Sequence, residues 1–98
     1  MKFTVILAPE ADGCYSVICP AIPGCVSQGA SVDDALVNVR DAILLCLDVC
    51  REDGHSLSTE TPEMIAQEIQ ACLQCRKEEG MPLTIETREV DVEAEVAA

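Results

Sequence analysis

Cys19-Pro20-Ala21-Ile22-Pro23-Gly24-Cys25-Val26-Ser27-Gln28-Gly29-Ala30-Ser31, running directly into the amphipathic stretch Val32 to Arg51, holds a strand end, a turn, a second strand, a helix cap and a helix in one continuous segment. Pro20 and Pro23 let the chain reverse where no backbone donor is needed, and Gly24 is free to take positive φ. Cys25 to Gln28 then reads as a short strand. Ser31 is a strong N-cap, Asp34 stands three residues on in a box-like pairing, and Asp33 and Asp34 both suit the positive end of the helix dipole. Leu36, Val39, Ile43, Leu47 and Cys50 recur at steps of three and four, which puts them on one helix face, flanked by Ala35, Ala42 and Cys46. That face is predicted to cover a sheet. Asp53-Gly54 ends the helix, and His55 to Glu60 reads as a polar loop.

Upstream, Lys2 to Ala8 and Cys14 to Cys19 are β-type runs joined by Pro9-Glu10-Ala11-Asp12-Gly13, whose Asp12-Gly13 pair is a hairpin signal. Downstream, Thr61-Pro62 opens a second helix with Thr at the cap and Pro at the first helical position, and Gly80 stops it. Met64, Ile65, Ile69, Cys72 and Leu73 give this helix a narrower apolar stripe, so it is expected to be half exposed. Residues 82–96 read as extended, with Leu83 and Ile85 on one parity and Val90, Val92, Ala94 and Val96 on the other, which implies a bulge, a bend or two environments. The expected fold is α+β: an antiparallel β-meander with helices packed on one face, in the order βββααβ. One domain is expected over residues 1–98, with 1–54 as its core, 61–80 as the second helix and 82–96 as the last strand.

Eighteen acidic residues against six basic ones give a net charge of −12. Such a field repels phosphate backbones and attracts cationic surfaces, so direct nucleic-acid binding is disfavoured and a basic protein partner is favoured. Phe3 and Tyr15 are the only Phe, Tyr or Trp residues, which leaves a lean aliphatic core of the kind that often gains stability by oligomerising. The apolar run Phe3 to Ala8 is too short for a signal peptide or a membrane span. With seven cysteines and no export signal, reduced thiols used as small hydrophobes and a cytoplasmic location are expected, without a structural disulfide.

The hairpin with Asp12-Gly13 at its turn, Tyr15 and Val17 on its second strand, the Cys-Pro-Ala-Ile-Pro-Gly-Cys-Val-Ser-Gln-Gly segment from Cys19 to Gly29, and the acidic helix start Val32-Asp33-Asp34-Ala35-Leu36 together resemble the HicB antitoxin family. The likeness covers residues 1–54 most clearly, with Asp12, Gly13, Pro20, Pro23, Gly24, Ser31 and Asp34 as its fold-defining positions. It implies a partial ribonuclease-H-like fold, self-association as a dimer or tetramer, and binding of a small basic HicA toxin that cleaves mRNA. Antitoxins of this family usually carry a C-terminal DNA-binding module. After Gly80 the sequence offers only a strand with an acidic face, so operator binding is not expected. The competing reading is a solitary oligomeric HicB-like domain with a ligand-binding or structural role and no cognate toxin.

Glu89, Asp91, Glu93 and Glu95 alternate with the apolar row of the last strand and project from one face. Such a row either solubilises an edge or docks a basic partner. With Glu86 and Tyr15, it is the predicted partner-binding surface. Catalysis is not expected. Two-metal nuclease chemistry needs carboxylates converging from strands, yet the middle of the first strand reads Thr4-Val5-Ile6, Asp12 belongs to a turn, and Asp41 and Asp48 share a helix. No cofactor or metal is expected either: Cys46 with Cys50 and Cys72 with Cys75 have helical chelating spacings but fall on or beside apolar faces, where Cys is a core residue. His55 has no nucleophile pattern around it.

Overall fold

The computed structural model describes residues 2–54 and 60–92. Strands β1 (Lys2–Pro9), β2 (Tyr15–Ile18) and β3 (Val26–Gly29) are followed by helices α1 (Val32–Asp53) and α2 (Pro62–Glu78) and by β4 (Glu86–Asp91). The four strands form one antiparallel sheet in the order β3-β2-β1-β4. The meander and the βββααβ order are as the sequence implies.

The hairpin forms because Asp12 accepts the Cys14 N–H on its Oδ1 at 3.0 Å, while Glu10 and Cys14 close the turn through a backbone bond of 2.8 Å. The β2–β3 connection is longer and is closed by three backbone bonds. Cys19 donates to the Cys25 carbonyl, Ile22 to Cys19 and Cys25 to Ile22, with Gly24 at φ +79°. Ala21 and Ile22 tuck into the core, so this turn is packed as well as hydrogen-bonded. Ser31 then caps α1 by accepting the Asp34 N–H at 3.1 Å. Gly29 makes the close approach possible: a Cβ there would lie 2.7 Å from the Asp34 carbonyl carbon.

The main core lies between α1 and one face of the sheet. Phe3, Val5 and Leu7 of β1, Val17 of β2 and Val90 of β4 meet Ala35, Val39, Ile43 and Leu47 of α1. The expected placement of both helices on one face holds for α1 alone. β1 is apolar at both parities, and Ile6 is as buried as Leu7; a strand of this kind needs cover on both sides. Helix α2 supplies it on the second face, where Cys72, Cys75 and Arg76 border a cleft of about 190 Å³ with Ile6, Ala8, Ser16 and Ile18. Its apolar residues are only half buried, as the narrow stripe predicts.

Two polar ties hold α2 and its approach. Glu60 accepts the Thr4 N–H at 2.7 Å and the Thr4 hydroxyl at 2.8 Å, filling the stretch of β1 that outlasts β2. Arg76, only 6% exposed, donates from Nε to the Pro82 carbonyl at 2.6 Å and from Nη2 to the Pro9 carbonyl at 2.8 Å, with Glu10 at 3.7 Å. The helix ends in a Schellman motif, with Gly80 N–H bonding to Lys77 and Met81 N–H to Arg76. Residues 81–85 are irregular, so Leu83 and Ile85 precede β4 and the parity change falls at the start of the strand.

Candidate interaction surface

β4 is an edge strand with β1 as its one neighbour in the sheet. Its register, Phe3 opposite Val90, Val5 opposite Arg88 and Leu7 opposite Glu86, fixes what each face carries. Val90 and Val92 point into the α1 side and are buried. Glu89 and Asp91 therefore project from the opposite face, and both are exposed. The predicted surface keeps these two together. Glu86 does not belong with them: it shares the parity of Val90, and its carboxylate is held by Arg88 at 2.7 Å, so this salt bridge on the α1 side meets a charge counted toward the docking row. Glu93 and Glu95, like His55, lie outside the described residues.

Tyr15 is also set apart. It pairs with Pro9 and Gly29 at the far end of the sheet and packs, half buried, against the α1-side core. A single partner surface uniting Tyr15 with Glu89 is not assembled by this fold.

Beside β4 runs a groove of about 340 Å³, walled by the α1 flank residues Asp33, Leu36, Val37 and Arg40 and by Glu89, Val90 and Asp91. Arg40 spans it, donating from Nη2 to the Asp91 carbonyl at 2.7 Å. Val37 is 60% exposed, an uncovered apolar group on this flank. Neither Arg40's role nor the groove is legible in the sequence, since both depend on which side of α1 faces β4.

Cysteine chemistry does not compete with this surface. Cys19 and Cys25 face one another across the β2–β3 turn, and burial pushes their thiols up to about 11 and about 12. Cys25 lies close to Cys46, whose proximity also disfavours the Cys25 thiolate. The Cys14 thiol is raised chiefly by the nearby Asp12 charge, and the Cys72 thiol by burial. Cys19 and Cys25 are core groups, and thiols raised in this way make poor nucleophiles at neutral pH. Among the described residues, no group of three or more His, Cys, Asp or Glu side chains is arranged to hold a metal, and no helix is long and apolar enough to cross a membrane.

The profile of a family described as the HicB-like antitoxin of bacterial toxin–antitoxin systems matches residues 3–91. The chain belongs to the HicB-like antitoxin family. A UPF0150 protein of Thermoplasma acidophilum is 35% identical to this HicB-like chain over 65 residues, covering 66% of it and 94% of the relative. Antitoxin HicB of Escherichia coli K12 is 32% identical over 62 residues, which is 63% of the chain and 45% of that antitoxin. Among solved structures, the N-terminal domain of Burkholderia pseudomallei antitoxin HicB superposes with a TM-score of 0.65 at 26% identity, over 95% of this chain and 99% of that one. The HicA3 and HicB3 toxin–antitoxin complex contains a chain of the same fold, with a TM-score of 0.63 at 20% identity, over 95% and 99% of the two chains. The α+β arrangement described above is thus the HicB-like fold.

Proposed function

We propose that this chain is an antitoxin that neutralises a small basic HicA-type mRNA-cleaving toxin by direct contact, with no catalysis and no cofactor of its own. Family membership supports the class of activity. The observation that carries the choice of partner is charge: −12 over 98 residues, with Glu89 and Asp91 exposed on the edge strand. A field of that sign speeds encounter with a basic protein and rejects RNA as a direct ligand. In this reading the chain works in the cytoplasm as a homo-oligomer, a dimer or tetramer, without membrane contact.

The test is affinity capture from the native cell, followed by mass spectrometry and an RNA-cleavage assay. The expected result is a co-purifying basic protein of HicA type that cleaves mRNA alone and stops when this chain is restored. Recovery of the chain only with copies of itself supports a second reading, a solitary oligomeric domain. The cleft between α2 and the sheet, apolar on its β1 side, is the feature that gives that reading a place for a small ligand.

A further inference from the structure

The hydrogen-bonding direction along the sheet can be followed from one edge to the other. Cys19 donates to Cys25, so Tyr15 and Val17 bond toward β3 while Ser16 and Ile18 bond toward β1. Their partners Ala8 and Ile6, and with them Thr4, direct N–H and C=O toward β2; Thr4 confirms it, its N–H being taken by Glu60 where β2 has ended. Phe3, Val5 and Leu7 therefore bond to Val90, Arg88 and Glu86, because the direction alternates residue by residue. It follows that Thr87, Glu89 and Asp91 point their backbone groups out of the sheet.

The two edges of the sheet are treated differently. On β3 the outward carbonyl of Gln28 accepts from Asn38 Nδ2 at 2.7 Å, and α1 packs closely along that strand. On β4 the Asp91 carbonyl is served by Arg40 and the Thr87 carbonyl by Arg88. The N–H groups of Thr87 and Glu89 and the Glu89 carbonyl have no hydrogen-bond partner among the described residues. An edge of this kind is a template for a further strand. Both edge carbonyls that are satisfied take their bond from a guanidinium, so cationic donors already fit this edge. A strand laid there would alternate its side chains between the Glu89 face and the groove floored by Val90 and walled by Leu36 and Val37.

We propose that the outer edge of β4 accepts an extended segment of a partner protein as a fifth strand, one in which basic residues facing Glu89 alternate with apolar residues entering the groove beside α1. This mode of recognition by strand addition rests on the proposed antitoxin reading, and it names the chemistry of the docking segment. A second copy of the chain is disfavoured as the occupant, since its own β4 would bring acidic residues to an acidic edge.

The probe is a synthetic ten-residue peptide alternating Lys and Val, titrated at low salt into the full chain while backbone amides are followed by NMR and hydrogen exchange. Binding that protects the Thr87 and Glu89 amides is expected, together with an affinity at least about tenfold weaker for Glu89→Pro, which loses an outward N–H without touching the β1 ladder. Glu89→Gln keeps the N–H and removes only the charge, so an intermediate loss is expected from it. The proposal is overturned if the Lys-Val peptide does not bind. It is equally overturned if a Glu-Val peptide binds as well, if Glu89→Pro folds and binds unchanged, or if the same amides are protected by self-association without peptide. Toxin inhibition is measured separately on the same variants. A Glu89→Pro chain that still silences the toxin leaves the antitoxin reading standing and removes only the strand-addition mode.

Discussion

Arg76 is buried although it is charged, because one guanidinium serves the carbonyls of Pro9 and Pro82 from two different segments. Arg76→Met strands both carbonyls and should cost about 2–3 kcal/mol, read as a lower urea midpoint at unchanged m value. Arg76→Lys should recover less than half of it, since an ammonium lacks the planar fork. The buried thiols give a pH signature. Cys19 and Cys25 hold their protons to about 11 and about 12, against an ordinary value of 9.0. The unfolded chain therefore loses these protons first, so their contribution is intact below pH 9 and drains away as pH rises through 11 to 12. Urea midpoints measured between pH 8 and 11 should fall, and Cys25→Ala should make the fall shallower. Neither Arg76 nor Glu60 was legible in the sequence: each stands among other polar residues, and only the fold shows which backbone groups they reach.

At the scale of elements, α1 was readable nearly to the residue, because cap, dipole, apolar period and stop all agree there. Ser31→Ala should cost about 1 kcal/mol, seen in thermal or urea unfolding, and Gly29→Ala about 2 kcal/mol or more, since the helix start would have to move away from β3. The side of the sheet taken by α2 was encoded in β1, whose run Phe3-Thr4-Val5-Ile6-Leu7-Ala8 is apolar at both parities; the narrow stripe of α2 itself gives no hint of which face it takes. Of the α2 residues only Arg76 is fully buried, so α2 should exchange its amides by local opening well before α1 and β1 do. Native-state hydrogen exchange checks this, and equal protection of the two helices would contradict it. The acidic row was legible as an alternation, but Glu86, expected to dock a partner beside that row, lies on the Val90 side of β4 and is paired with Arg88, an ion pair that the sequence alone does not show.

For the whole molecule, the charge of −12 governs long-range encounter with charged partners. Attraction between an acidic antitoxin and a basic toxin should weaken as salt rises, and mutating the exposed carboxylates should act mainly on the association rate. Glu89→Lys with Asp91→Lys should slow association by about tenfold at low salt and flatten its salt dependence, as measured by stopped-flow or surface binding. The fold is that of HicB-like antitoxins, and the proposed activity is neutralisation through protein contact. The decisive measurement is mRNA cleavage by a HicA-type toxin from the same genome, titrated with this chain. Inhibition that is complete at a fixed stoichiometry and is lost at high salt is the predicted result. Cleavage that continues undiminished in excess chain at low salt would contradict it.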